Sequence, residues 1–231
     1  AVGLFPLAML DIDIKQLCAG AKDILEKSLS DNVEENYSAI SAAILFLLYQ
    51  KGFDIHNMFV FAHDLFSLGQ WYRQLVGESL GKETDLDGKQ VNVGTLPVVS
   101  VGTVDLHSVF QCYMAANHNK FTTFVSADKF KSDPIVSSCH RFEKIAPDIQ
   151  GKDMATLLDA VIKGTKLAYF KKKKPFVSIE LPEVNSFAIG QFLQFKMMEI
   201  IYLGYLLNIN PFNQPQVELY KKETKAILTL P

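Results

Sequence analysis

The sequence predicts an α/β fold in which a mainly parallel sheet is flanked by helices. Short apolar, strand-like runs alternate along the chain with segments of helical period, which is the pattern of parallel strands joined by crossover helices. The most apolar of these runs, Met58-Phe-Val-Phe61, is continuous rather than alternating, as expected of a strand covered on both faces. With 231 residues, the chain suits one sizeable domain with extensions.

Asn36 to Gln50 places Ile40, Ile44, Leu47 and Leu48 on one helical stripe, with Gly52 as the stop. After Met58–Phe61, a second helix follows from the spacing of Leu65, Leu68, Tyr72, Leu75 and Val76. Gly81 to Gly94 is polar and glycine-containing, and reads as a loop, with a turn at Asp85, Asp87 and Gly88. The second strand is Leu96–Val101, before a helix from about Asp105 to Ala116 with Asp105 as its N-cap. Thr122–Ser126 is the third strand and precedes an irregular stretch. A helix from about Asp153 to Phe170 leads to the fourth strand, Phe176–Leu181. A long helix near Phe187–Leu207, a proline-containing turn at Asn210–Pro215 and a last helix over Val217–Leu228 close the chain.

Composition narrows the functional classes. Lys and Arg number 23 against 25 Asp and Glu, a net charge of -2 that removes the broad electrostatic case for nucleic acid or an anionic membrane surface. Cys18, Cys112 and Cys139 are scattered, with neither disulfide-framework nor zinc-ligand spacing, which favours a reducing, cytoplasmic setting. The apolar start has no basic residue before Lys15 and no cleavage signal, so it does not read as a signal peptide. Ile189–Leu207 carries Lys196 and Glu199 near its middle, which argues for a buried helix over a membrane span.

Individual motifs are weak when taken singly. Gly77-Glu-Ser-Leu-Gly-Lys82 is one residue short of a phosphate-binding loop, and Glu83 stands where Ser or Thr should follow the lysine. Glu78 nonetheless sits where an apolar helix opens into a glycine-flanked loop. His107 follows the second strand, where open α/β sheets place ligands, but Asp105 lies two residues away and would not share a helix face with it. Lys171–Lys174 reads as a solvated helix end, its cations complementing the dipole before Pro175.

Together, three segments resemble the C-terminal half of the phosphoglucose isomerase (glucose-6-phosphate isomerase) family: Gly77–Lys82, Thr103-Val-Asp-Leu-His-Ser-Val-Phe-Gln111, and Asn210-Pro-Phe-Asn-Gln-Pro-Gln-Val-Glu-Leu-Tyr-Lys221. The opening Ala1-Val-Gly-Leu-Phe-Pro6 and the Gly164-Thr165 pair also match, so the resemblance covers essentially the whole chain. It implies a three-layer sugar isomerase (SIS) domain over residues 1–231, with a helical N-terminal segment (about 1–50), a helical C-terminal tail (about 186–231), and the N-terminal SIS domain absent.

The implied reaction interconverts glucose 6-phosphate and fructose 6-phosphate through a cis-enediol(ate), with no metal or cofactor. A proton must move between C1 and C2, and a tunable carboxylate suits that task. Glu78 matches the family's base, and Gln74 a substrate-contacting residue one turn earlier. His107 matches the acid/base for ring opening and reaches the neighbouring subunit's site, which implies a homodimer. Lys221 matches a C-terminal lysine that assists ring opening.

The family's phosphate-binding loops and its enediolate-stabilising arginine precede the segment matching Ala1, and Arg73 and Arg141 do not match that arginine. In many bacterial members Gly-Thr is followed by Ala-His and a glycine-rich turn, whereas here Ala168-Tyr-Phe leads into four lysines. The isolated chain is therefore expected to be inactive, with apolar surface exposed around Phe5, Phe187 or the last helix. Glu78 is expected at the mouth of the sheet where the second strand ends, with Gln74 facing the same cleft. The alternatives are a free-standing, non-catalytic SIS module that binds a sugar phosphate or a protein partner, and a domain kept only for dimerisation.

Overall fold

The computed structural model describes residues 2–116, 119–129, 134–141 and 143–229. Three helices come first: α1 (Leu4–Met9), α2 (Ile14–Ser28) and α3 (Tyr37–Gln50). Asp13 caps α2 by accepting from the amides of Lys15 and Gln16, and Asn36 caps α3 by accepting from that of Ala39. Next come β1 (Ile55–Val60), α4 (Phe66–Leu80), β2 (Lys82–Thr84), β3 (Gln90–Val93), β4 (Leu96–Val101), α5 (Phe110–Ala115) and β5 (Lys120–Lys129). The chain closes with α6 (Met154–Lys171), β6 (Phe176–Glu183), α7 (Ser186–Leu206) and α8 (Val217–Leu228).

Four strands form a parallel sheet in the order β4-β1-β5-β6. Ile55 of β1 stands beside Leu96 of β4 on one side and Lys120 of β5 on the other. Because side chains alternate across a strand, Met58 and Val60 face α3, α4 and α7, whereas Phe59 faces α5 and α6 with Phe124, Ile162 and Tyr169. Both sheet faces are therefore covered, giving the expected three layers.

Helix α2 lies across α7 at very short range. A Cβ on Gly20 would come within 2.0 Å of the Phe187 carbonyl oxygen, and one on Gly190 within 2.0 Å of that of Leu17, so only glycine permits the crossing. Phe187 is consequently half-buried at this crossing, and its expected exposure is not met. Phe5 and, on α8, Leu219, Tyr220, Ile227 and Leu228 are exposed as expected.

Several sequence expectations are corrected. Gly81–Gly94 is not a plain loop: β2 and β3 pair antiparallel as a hairpin whose turn is held by Asp85, which accepts from the amides of Asp87 and Lys89. In α3 the buried positions are Ser38, Ala42 and Leu45, while Ile44 and Leu47 of the expected stripe are exposed. This helix is apolar nearly all round, so its sequence did not single out one face. The helix after β4 begins at Phe110, and Asp105 sits in a preceding 3-10 turn, Val104–Leu106. Asp105 does not cap α5, because its carboxylate accepts from the amide of Val101 and from the hydroxyl of Ser108. The irregular stretch expected after the third strand includes residues 130–133 and 142, which lie outside the described residues.

Candidate functional site

Helix α4 places Glu78. Its buried residues, Leu68, Tyr72, Val76 and Leu80, follow helical spacing and turn inward. Gly69 lets the helix lie close on β4, since a Cβ there would stand 2.7 Å from Val99 Cγ1. The helix ends over the beginning of β4, where a Cβ on Gly77 would stand 3.9 Å from Pro97 Cγ. On its outer face an open hollow is lined by Gln70, Trp71, Arg73, Gln74, Gly77 and Glu78.

The Glu78 carboxylate is held by two side-chain amides. Gln74 Nε2 donates to Oε1 at 3.0 Å, and Gln214 Nε2 donates to Oε2 at 2.8 Å. Gln74 thus shares the Glu78 cleft, as expected. Gln214 was not singled out from the sequence, although it lies within the Asn210–Lys221 match; no local pattern links it to a residue so far back in the chain. The cleft itself lies at the amino end of β4 and not at its carboxyl end. The expected placement fails because α4 runs antiparallel to the strands, so its last turn returns to their starts.

His107 is exposed beyond the carboxyl end of β4, between the 3-10 turn and α5. From Pro97 to Val101 the strand advances about 13 Å at roughly 3.3 Å per residue, so Glu78 and His107 flank opposite ends of β4. Lys221 is exposed on α8 and donates to Glu218 at 2.8 Å, a contact that raises its pKa. Among the described residues, no hydrogen bond joins His107 or Lys221 to Glu78. No group of three or more His, Cys, Asp or Glu among the described residues could hold a metal ion.

Behind the cleft, a buried polar chain locks α4 to α7 and to the sheet. Lys196 Nζ donates to both oxygens of Glu199 at 3.1 and 2.8 Å, and Ser41 Oγ and Tyr72 OH donate to the same carboxylate, Tyr72 at 3.0 Å. With its proton committed to Glu199, the Tyr72 oxygen accepts from His56 Nδ1 at 3.2 Å, leaving Nε2 to accept from Thr123 Oγ1 at 2.8 Å. Burial, with the nearby Lys196 charge, lowers the His56 pKa to about 3, so the ring is neutral. Burial and the Glu199 carboxylate push that of Tyr72 well above its usual value.

The family model described as "Phosphoglucose isomerase" matches residues 1–231. The chain is 34% identical over 227 residues to a glucose-6-phosphate isomerase of Carboxydothermus hydrogenoformans, covering 98% of this chain and 49% of the relative. It is 33% identical over 222 residues to that of Methanocaldococcus jannaschii, covering 96% and 52%. Among solved structures, a hypothetical protein from Thermus thermophilus superposes with a TM-score of 0.92 at 31% identity, over 99% of this chain and 54% of that one. A glucose-6-phosphate isomerase from Chlamydia trachomatis shares the fold, with a TM-score of 0.79 at 20% identity, over 92% and 42%. The chain spans about half the length of the curated relatives it matches.

Proposed function

The chain belongs to the phosphoglucose isomerase family, and from that premise we propose that it is the C-terminal SIS half of an enzyme that interconverts glucose 6-phosphate and fructose 6-phosphate. Glu78 is the base in this reading. It takes the proton from C2 of the open-chain aldose and delivers it to C1 of the cis-enediol(ate), or the reverse. The observation that carries the reading is the Glu78 carboxylate, fixed at 3.0 Å by an amide from the preceding turn of α4 and at 2.8 Å by one from the distant tail, at the edge of an open hollow. A base held in this way meets the sugar without first reorganising. Gln74, on the same wall, contacts the substrate.

The separation of Glu78 and His107 across β4 supports the trans arrangement. One protomer does not present both groups to one sugar, whereas a two-fold dimer supplies His107 from its neighbour to open the ring. Lys221, on the exposed tail helix, assists that step. The sugar phosphate is held by the N-terminal SIS domain, whose binding energy positions the reacting carbons over Glu78. In this reading the reaction requires no metal or cofactor, and the protein works in the cytoplasm, away from nucleic acid and membrane.

A coupled assay of the complete protein with fructose 6-phosphate tests this reading. Glu78→Gln should retain substrate binding and lose turnover roughly 10²-fold or more. Near-normal kcat would remove Glu78 from the mechanism, and absence of turnover by the wild-type protein would favour a binding module.

A further inference from the structure

Lys82, the first residue of β2, is only 7% exposed, yet it has no carboxylate partner among the described residues. Its ammonium donates instead to two backbone carbonyls, that of Glu78 at 2.9 Å and that of Asn213 at 2.8 Å. The Glu78 carbonyl is one of the last four of α4, which lack a partner within the helix and carry the negative end of its dipole. Burial lowers the Lys82 pKa, in keeping with an ammonium wrapped by protein rather than water.

We propose that Lys82 is a positioning residue for the Glu78 cleft: it staples the end of α4 to the 210–215 segment and thereby sets Gln214 against the Glu78 carboxylate. Asn213 immediately precedes Gln214, so the contacts close a ring. Lys82 grips the Glu78 backbone and the Asn213 carbonyl, and Gln214 grips the Glu78 side chain. Phe212 to Gln216 are exposed, and among the described residues their hydrogen bonds to the body of the domain are those to Lys82 and Glu78.

The hairpin braces the ring from the other side. Asn208 Nδ2 donates to Asp87 at 3.0 Å, and the Leu86 amide donates to the Asn208 carbonyl at 2.9 Å. Both acceptors of Lys82 are main-chain atoms, so the staple fixes the backbone paths of α4 and the tail whatever side chains those positions carry. Lys82 touches no reacting atom in this scheme and acts through Gln214. The inference rests on the reading of Glu78 as the base.

The test uses the complete isomerase. Lys82→Met removes the donors and keeps the aliphatic stem. It should lower kcat about 10-fold and leave KM within about 2-fold, because misplacing a reacting group costs rate more than substrate binding. Lys82→Arg, which keeps two donors, should restore most of the rate. In a Gln214→Ala background, Lys82→Met should cost less than about 2-fold more, since both changes break the same ring. Amides of 212–217 should exchange hydrogen faster in Lys82→Met, with β1 unchanged. Lys82→Gln, too short to reach both carbonyls, provides a second variant should the methionine not fold, with the same expectations. Wild-type kcat and exchange in these variants, or losses fully additive with Gln214→Ala, would overturn the staple. Glu78→Gln is run alongside: its loss of turnover with unaffected Lys82 variants overturns the staple alone, and its full activity overturns the reading of the base.

Discussion

Gln214 donates a 2.8 Å hydrogen bond to Oε2 of Glu78 from 136 residues further along the chain. This contact joins the tail that carries Lys221 to the last turn of α4. His107, by contrast, stands past the other end of β4. The arrangement assigns one group of residues to a cleft within the protomer and sends His107 outward.

Mixed dimers follow from that separation. His107→Ala and Glu78→Gln proteins should each be nearly inactive, and subunit exchange between them should restore activity, because one site of each heterodimer has both groups. Heterodimers as inactive as their parents would show that His107 does not serve its neighbour.

The buried pair behind the cleft should be costly to break. Lys196 and Glu199 are 1% and 0% exposed at their side chains and 2.8 Å apart. Glu199→Gln or Lys196→Met should each destabilise the fold by about 3–5 kcal/mol, since each leaves a buried charge unpaired. Denaturant unfolding measures this, and a loss below about 1 kcal/mol would mean the pair is solvated.

Folding stability should also depend on His56. Its pKa is depressed to about 3 in the folded state, against about 6.5 unfolded, so the unfolded chain binds the extra proton between these values. The His56 contribution is therefore complete above about pH 6.5 and lost as pH falls toward 3, by about 1.4 kcal/mol per unit. His56→Asn should flatten the decline in unfolding free energy between pH 6.5 and 4.5 by roughly 2–3 kcal/mol. Equal slopes for the two proteins would contradict a neutral, buried ring.

How much of this was legible in the sequence depends on whether a local signal existed. The strands β1 and β4 were readable because apolar runs bounded by turns are local. The hairpin was missed because Lys82–Thr84 is only three residues and polar, and the alternation of Gln90-Val-Asn-Val93 spans only four. Glu78, Gln74, His107 and Lys221 emerged from the combined motifs, not from spacing. Gln214 and Lys82 gain their meaning only when the chain folds the tail back onto α4, which no period or propensity records. The end of β4 that receives Glu78 was misjudged because α4 runs back antiparallel to the strands, so its last turn lies over their starts.

This chain on its own should fold but not turn over. Its sheet is covered on both faces, yet α8 leaves Leu219, Tyr220, Ile227 and Leu228 exposed, a surface that favours self-association until another domain covers it. A coupled assay should find turnover only when a separately expressed N-terminal half is added. Robust isomerisation by the 231 residues alone would show a self-contained site.

The claim that Glu78 moves the proton is tested most directly by incubating glucose 6-phosphate with the complete protein in deuterium oxide and following the C2 proton by NMR. The wild-type protein should exchange that proton for deuterium, and Glu78→Gln should do so at least roughly 10²-fold more slowly while still binding the sugar phosphate. Exchange at the wild-type rate in Glu78→Gln would contradict the assignment of the base.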